Sequence, residues 1–298
     1  MTRKILAALV IIALALPLSS LAVTAQPLGN GFPQLDPSEV KLWSDPANTV
    51  SDGSSISFET TATGTKWAVL VGISDYEGTA NDLWNPDKDA TDMQRALIEK
   101  YGFLSDNIMM LLNGNATAQA IAGAIDWLNG VEKAGDTVVF LFSGHGYRVS
   151  DRSGWDSDRE SDRYDECIVS YDLYGITDGY LRQKFFAFET TKFALIFGSC
   201  YSGGMFDSPA DIQAPGRVIC SACKANQYGW DYLNLGNTLF GYYFVDEAIL
   251  KGKAEGLNVN GDGVSMEEAL KYAYPRVTAL QRKSQPQIYD GFAGEFVP

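Results

Sequence analysis

Two apolar runs that end in small residues limit most strongly what this chain can fold into. One run, 193–197, stops at a Gly-Ser-Cys sequence that ends on Cys200, and the other, 137–142, stops at a Ser-Gly-His sequence that ends on His145. Apolar runs of this length bounded by small residues are typical of fully buried strands. Ligands of open α/β sheets bind beyond the carboxyl ends of the strands, so the sequence predicts Cys200 and His145 at one functional edge.

Strand and helix signals alternate along most of the chain. Apolar residues make up 46% of the 298 residues, which is ample for a large buried core. Apolar runs predict strands at 66–73, 107–112, 137–142, 167–171, 193–197 and 217–220, and spacings of three or four predict helices at 86–101, 117–130, 178–186, 238–250 and 265–280. This order predicts an α/β fold, a three-layer sandwich with a mostly parallel central sheet flanked by helices.

The start of the chain has the pattern of a secretory signal peptide. Two cations precede an almost wholly apolar stretch, and small residues then lead to an expected cleavage after Ala25. The open alternative is a retained anchor, because residues 5–23 could nearly span a bilayer. We expect a secreted or cell-surface protein. Its parts are the signal peptide 1–25, an N-terminal extension 26–64 with no assigned function, and a folded domain 65–298.

The chain is strongly acidic. Its formal net charge is −14, and removal of the signal peptide, which carries two cations and no acids, would make it −16. A surface of that charge repels nucleic acid and anionic lipid head groups, so we expect no nucleic-acid partner and no membrane partner after signal removal. The expected partners are cationic or polar molecules and metal ions. The sequence predicts no organic cofactor and leaves the oligomeric state open.

The four cysteines do not form the framework of a disulfide-rich protein. Cys220 and Cys223 have the spacing of a redox pair or of half a zinc site, but no second such pair and no spare histidine completes a zinc site. We favour buried packing residues, with a strained disulfide as the alternative outside the cell. Cys167 lies in an apolar run and is expected to face a core.

Cys200 and His145 form the strongest candidate for a catalytic pair. A lone Cys or His is normally structural, but here each one follows a predicted buried strand and lies among glycines that let a ligand approach closely. A nearby imidazole favours the thiolate, which is the nucleophilic form of a cysteine. His145 is the only histidine and lies 55 residues before Cys200, close to the interval of about 50 in caspases.

The two motifs together, Ser-Gly-His-Gly and Gly-Ser-Cys-Tyr-Ser-Gly, resemble those of the caspase-like cysteine peptidases, nearest the metacaspase branch. The sequences at 71–76, 89–90 and 165–172 also resemble that family, so the resemblance covers about residues 66–298. It implies a caspase-hemoglobinase fold and endopeptidase activity on a peptide or protein substrate.

The resemblance also implies roles for individual residues. Cys200 would attack the scissile carbonyl, and His145 would supply a proton to the leaving amine. The backbone N–H groups of Cys200 and Gly146 would hold the oxyanion, where negative charge develops during acyl transfer.

The cleaved bond is expected to follow Arg or Lys, although one family feature is missing. Metacaspases usually carry Asp two residues before the Cys, where it helps to line a pocket for a basic side chain, and Gly198 stands there in this chain. Asp89 matches the family's other pocket aspartate. A single carboxylate can still select a cation through charge-assisted hydrogen bonds, so we expect cleavage after Arg or Lys with weaker discrimination.

Calcium is the metal cofactor that the resemblance suggests. Metacaspases typically carry calcium-binding aspartates after the His and just beyond the Cys motif, and the matching candidates are Asp162, Asp165, Asp178 and Asp207. Hard oxygen ligands suit Ca²⁺. The alternative is a solvated acidic loop within 151–166 that is paired with its own arginines.

Residues 258–263 partly match the start of another kind of calcium site, the EF-hand loop. The bidentate acid expected at position 12 is missing, because Glu268 comes one residue early. Ser265 and Glu268 also have the spacing of a helix capping box, and we favour that interpretation.

Two other functions stay open at this point. A legumain-like peptidase of the same fold would cleave after Asn, since the sequence from Cys200 to Phe206 also resembles the Cys motif of that family. A catalytically idle binding or scaffold module would keep the fold without turnover. The residue before the cleaved bond distinguishes the first alternative, and modification of Cys200 by an alkylating peptide distinguishes the second.

Overall fold

The computed structural model describes residues 35–46, 64–155, 163–209, 211–255 and 263–298. The predicted signal peptide with its cleavage site, the metal candidate Asp162 and most of the EF-hand-like segment lie outside these ranges. Among the described residues, no helix is both long and apolar enough to cross a bilayer.

The described strands belong to two sheets. In chain order they are β1 Lys41–Leu42, β2 Lys66–Gly72, β3 Ile108–Leu112, β4 Thr137–Ser143, β5 Gly146–Ser150, β6 Tyr164–Val169, β7 Tyr174–Thr177, β8 Phe193–Gly198, β9 Arg217–Ser221 and β10 Gln287–Asp290. The helices are α1 Pro86–Tyr101, α2 Ala118–Val131, α3 Asp178–Phe186, α4 Leu239–Gly241 with its π-helical continuation Tyr242–Leu250, and α5 Met266–Leu280. Short 3₁₀ turns cover Thr79–Asn81, Ser105–Asn107, Asn113–Asn115, Asp151–Ser153, Gly204–Phe206 and Leu233–Leu235.

The larger sheet has the strand order β10-β9-β8-β4-β2-β3, and its neighbouring strands are parallel except for β10 and β9. Successive residues of β2 enter different cores. Ala68 and Leu70 pack with α1 and α5, whereas Val69 and Val71 pack with α2 and α3. Helices therefore cover both faces of this sheet, which confirms the predicted three-layer α/β sandwich with a mostly parallel sheet.

A smaller sheet has the strand order β1-β7-β6-β5, and the sequence predicts only β6 of it. β5, β6 and β7 pair antiparallel, while β1 comes from the N-terminal extension and pairs parallel with β7. These strands are short and carry polar residues, so they lack the long apolar runs that reveal the larger sheet. β10, with four residues of alternating exposure, escapes prediction for the same reason.

The acidic segment before Cys167 corrects one prediction. The alternative of a solvated acidic loop within 151–166 is wrong for the end of the segment. Asp165 and Glu166 lie in β6, and both are fully buried. Neighbouring strand residues point to opposite faces of a sheet, so the two carboxyl groups are buried on different sides. Cys167 is buried as predicted.

The N-terminal cap of α5 and the buried cysteines confirm two further predictions. Ser265 Oγ accepts a hydrogen bond from Glu268 N at 3.1 Å, and Glu268 Oε2 accepts one from Ser265 N at 3.0 Å, which is the predicted capping box. Cys220 and Cys223 are free and fully buried, in agreement with packing residues and not with a disulfide.

Candidate active site

The carboxyl ends of β4 and β8 bring His145 and Cys200 to one edge of the larger sheet. The two strands are parallel neighbours in which Ser143 pairs with Gly198, and each catalytic candidate lies two residues beyond its member of that pair. Gly146 lies against the main chain of Cys200, since a Cβ atom on Gly146 would be 2.1 Å from the Cys200 carbonyl oxygen. The structure therefore places the His segment and the Cys segment in direct contact.

His145 is held at both its main chain and its ring. It is 4% exposed, its backbone N–H donates to Tyr76 Oη at 2.7 Å, and its Nε2 lies 2.8 Å from the Asn81 carbonyl oxygen. A carbonyl oxygen only accepts, so this partner assigns the proton to Nε2 and leaves Nδ1 as the basic nitrogen. Burial lowers the pKa of His145 to about 4, against the opposing effect of the Asn81 hydrogen bond.

Cys200 is held by a neighbouring stretch of main chain. Its Sγ donates to the Gly229 carbonyl oxygen at 3.7 Å, and the next residue, Tyr201, donates its N–H to the Gln227 carbonyl oxygen at 2.8 Å. Tyr201 has φ 58°, in the left-handed region, so the chain turns sharply directly after Cys200. Burial raises the pKa of Cys200 to about 12, Cys223 acts in the same direction, and the Gly229 hydrogen bond opposes both.

These two pKa shifts have one cause and opposite directions. Burial penalises the charged form of each group, so it raises the pKa of the acid Cys200 and lowers the pKa of the base His145. At neutral pH the resting pair is therefore a thiol and a neutral imidazole. Formation of the nucleophilic thiolate would require a base that takes the thiol proton, and neutral His145 is the candidate for that base at this sheet edge.

Gly146 supplies a hydrogen-bond donor beside Cys200. Val169 N donates to the His145 carbonyl oxygen at 3.0 Å, so those two residues form a hydrogen-bonded pair of the β5–β6 ladder. Hydrogen-bonded and non-hydrogen-bonded pairs alternate along an antiparallel ladder, so Gly146 and Ile168 form a non-hydrogen-bonded pair. The N–H of Gly146 therefore points away from β6. Glycine is required at this position because any side chain would overlap the Cys200 carbonyl oxygen.

Asp89 is a buried carboxyl group that is hydrogen-bonded to Ser143 at this edge of the sheet. It is 2% exposed and accepts hydrogen bonds from Ser143 Oγ at 2.7 Å and from Thr238 N and Oγ1 at 3.0 and 2.6 Å. Burial raises the pKa of Asp89 to about 7, the hydrogen bonds from Thr238 and Ser143 lower it, and nearby Asp231 raises it further. Gly198 supplies no side chain to this network, although a Cβ atom there would lie 2.9 Å from Ser143 Oγ.

The acidic candidates for calcium have different environments. Asp165 and Asp178 are fully buried, Asp207 is exposed, and Asp162 lies outside the described residues. Glu166, which the sequence analysis does not select, is fully buried and packs against the 3₁₀ turn that precedes Asp207. Within the described ranges, no group of three or more His, Cys, Asp or Glu side chains could hold a metal ion.

Three residues that shape the site escape the sequence predictions: Tyr76, Asn81 and Gly229. Tyr76 lies in a segment that resembles the caspase-like peptidases, but nothing in that pattern indicates a hydrogen bond to the main chain of His145. Asn81 and Gly229 contribute carbonyl oxygens, which every residue carries, so their side chains give no signal of this role.

Comparisons with known proteins agree with this geometry. The sequence model of a peptidase family described as the caspase domain matches residues 65–296. Metacaspase-4 of Arabidopsis thaliana is 30% identical over 213 residues, which cover 69% of this chain and 49% of the relative. Metacaspase-1 of Lodderomyces elongisporus is 33% identical over 160 residues, which cover 49% of this chain and 35% of the relative. The chain thus spans half or less of the length of these curated relatives.

A solved structure supports the fold. The crystal structure of a Geobacter sulfurreducens protein superimposes with a TM-score of 0.56 at 19% sequence identity. The match covers 77% of this chain and 94% of the other. At this level of identity the likeness concerns the arrangement of strands and helices.

Proposed function

This chain belongs to the caspase-domain peptidase family, and from that membership and the geometry of its site we propose that it is a cysteine endopeptidase in which Cys200 is the nucleophile and His145 carries the proton. The contact between Gly146 and the main chain of Cys200 is the observation that carries the proposal. It brings the only histidine of the chain, a thiol and the backbone N–H of Gly146 to one sheet edge inside the family-matched region. The metacaspase names of the relatives support the same activity.

The proposed reaction begins from the neutral pair. Cys200 gives its thiol proton to Nδ1 of His145 while its sulfur bonds to the carbonyl carbon of the scissile peptide. The carbonyl oxygen takes the negative charge, and the N–H groups of Gly146 and Cys200 donate to it. The proton on Nδ1 then passes to the leaving amine as the C–N bond breaks, which leaves a thioester. Water then attacks the thioester carbon and gives a proton to Nδ1 of His145. The C–S bond breaks, the carboxyl product leaves, and His145 passes that proton to the sulfur.

The proposed substrate carries Arg or Lys before the cleaved bond. Asp89 supports this specificity because it is a buried carboxyl group hydrogen-bonded to the last residue of β4, two residues before His145. A cation that approached it would gain a charge-assisted hydrogen bond, and an acidic side chain would meet a like charge. The net charge of −14 also favours cationic substrates over anionic ones.

The proposal also includes calcium binding and export, and the support for both comes mainly from the sequence. Asp165 and Asp178 are buried near Cys167, and carboxylate oxygens are ligands that Ca²⁺ prefers. The described residues do not complete a site, so no catalytic step is assigned to the ion; when bound, it would neutralise buried negative charge. Export is supported by the signal-peptide pattern of residues 1–25.

A panel of fluorogenic peptides with Arg, Lys, Asn or Asp before the reporter tests the proposal, with and without a calcium chelator. We expect cleavage after Arg and Lys, a lower rate with chelator, and a loss of at least about 10³-fold in Cys200→Ala and in His145→Ala. Unchanged turnover in either variant would contradict the proposed pair. Cleavage after Asn alone would indicate a legumain-like pocket. An absence of both cleavage and labelling of Cys200 by an alkylating Arg peptide would indicate an idle binding module.

A further inference from the structure

The N-terminal extension is docked on the smaller sheet. In β1, Lys41 N donates to the Leu173 carbonyl oxygen at 2.9 Å, and just after β1, Trp43 N donates to the Gly175 carbonyl oxygen at 3.0 Å. Val40, directly before β1, is buried. Residues 35–46 are therefore fixed to the folded domain by a strand pairing and by apolar contact.

The docked segment holds the side chain of Asn81 from both sides. Asp36 N donates to Asn81 Oδ1 at 3.1 Å, and Asn81 Nδ2 donates to Glu39 Oε2 at 2.7 Å. Asn81 is 1% exposed, although the four residues before it, 77–80, are all exposed. The extension thus anchors a buried side chain within an otherwise exposed loop.

Asn81 links the docked extension to His145, the proposed base. Its carbonyl oxygen accepts from His145 Nε2 at 2.8 Å, so one residue is bound by the extension at its side chain and by the imidazole at its main chain. That hydrogen bond fixes the tautomer in which Nδ1 is basic, and it fixes the plane of the ring. Displacement of Asn81 would release the ring from this orientation and would allow its proton to lie on the other nitrogen.

We propose that residues 35–46 are a working part of the active site, in which Glu39 and Asn81 act as positioning residues for His145. This role rests on the proposed peptidase function, because it concerns the base of that reaction. The extension then supports catalysis where it is docked, and a proteolytic cut that released it would lower turnover.

Glu39→Ala in the full chain tests the proposal. We expect kcat to fall about tenfold, which corresponds to about 1.4 kcal/mol, with KM changed less than twofold, because the base is misplaced while the substrate pocket is untouched. Glu39→Gln keeps a side-chain oxygen that can accept from Asn81 and is expected to recover most of the lost turnover. The matched control is Glu77→Ala, which removes an exposed glutamate from the loop that carries Asn81.

A donor and acceptor swap provides a second pair of variants. Asn81→Asp places a carboxylate opposite Glu39 and is expected to lower kcat at least as much as Glu39→Ala. The double variant Asn81→Asp with Glu39→Gln restores a hydrogen bond of reversed polarity, and we expect it to regain activity relative to Asn81→Asp alone. Thermal midpoints within a few degrees of the parent would show that each variant folds.

Proton NMR gives a readout that does not depend on turnover. His145 is the only histidine, so the imidazole N–H signal is unambiguous. We expect a slowly exchanging Nε2–H in the parent and faster exchange with water in Glu39→Ala, but not in Glu77→Ala. Unchanged exchange and unchanged kcat in Glu39→Ala would overturn the positioning role. A parent that cleaves no peptide but shows the exchange difference would contradict the proposed function and leave the positioning intact.

Discussion

His145 and Cys200 leave the same sheet edge, but different parts of the chain fix them. Around Cys200 the partners are main-chain atoms of one stretch, 227–229, which packs directly against the Cys segment. The backbone N–H and the ring of His145 bind the Tyr76 hydroxyl and the Asn81 carbonyl, and Asn81 is anchored by the N-terminal extension. The thiol is fixed by close backbone packing, and the base is fixed by hydrogen bonds that begin outside its own strand.

This difference indicates how each side should respond to substitution. Backbone overlap cannot be relieved by rotation of a side chain, so the packed side should lose function in a single step. Hydrogen bonds are individually worth about 1 kcal/mol net, so the His side should lose function by degrees. Three substitutions test this contrast, in order of decreasing expected effect.

The largest effect is expected at Gly146, where the packing joins the two sides. Gly146→Ala would put a Cβ atom 2.1 Å from the Cys200 carbonyl oxygen, so the two segments must separate. The backbone N–H beside the developing oxyanion would move with them, and loss of one such donor costs about 10²–10³-fold in kcat. We expect kcat/KM on Arg peptides to fall by about 10³-fold.

Gly123→Ala is the matched control for this prediction. Gly123 lies on the exposed side of α2, and a Cβ atom there meets nothing within 4 Å. Alanine in a helix is about 0.5–1 kcal/mol more favourable than glycine, so this variant should be equally active and slightly more stable. Near-normal activity of Gly146→Ala would show that the Cys segment is not closely packed.

The next effect is expected at Tyr76, on the hydrogen-bonded side. Tyr76→Phe keeps the ring that lies 4.8 Å from the His145 ring and removes the hydroxyl that accepts the His145 N–H. A buried N–H without a partner costs about 1–3 kcal/mol, so the urea unfolding midpoint should fall. We expect kcat to fall about tenfold, a graded loss compared with Gly146→Ala.

Tyr274→Phe, at a half-exposed position of α5, controls for the loss of a hydroxyl as such. It should leave both kcat and the unfolding midpoint unchanged. A loss in Tyr76→Phe as large as that of Gly146→Ala would end the contrast between the two sides, since both would then fail in one step.

The two sides of the site also differ in how far the sequence predicts them. The strand ends that present His145 and Cys200 could be predicted because buried parallel strands consist of continuous apolar runs. The runs before Gly198 and Ser143 have that form. The capping box of α5 could be predicted because it needs particular side chains at a fixed spacing. Local chemistry of this kind is visible in a single sequence.

The partners of His145 could not be predicted in this way. Asn81 contributes a carbonyl oxygen, and its anchor Glu39 lies 42 residues earlier in a segment without periodicity. Tyr76 acts on a backbone N–H that lies 69 residues away. The burial of Asp165 and Glu166 depends on the smaller sheet, whose short polar strands resemble loops in sequence. Contacts that join distant segments through main-chain atoms carry no residue-type signal.

The last effect, expected to be no larger than that of Tyr76→Phe, concerns the positions two residues before each proposed catalytic residue. On the His side Ser143 donates to Asp89, while on the Cys side Gly198 offers no side chain. The pKa of Asp89 is raised to about 7, so its ionised fraction rises about tenfold from pH 6 to pH 8. Because kcat/KM reports the free enzyme and a cation prefers the ionised carboxylate, kcat/KM for Arg peptides should rise by about that factor.

Asp89→Asn keeps the shape of the side chain but cannot ionise, so its kcat/KM for Arg peptides should be lower and flat over this range. A rise with pH that persists in Asp89→Asn would assign the titration to another group and would leave the pocket on the His side without its proposed charge.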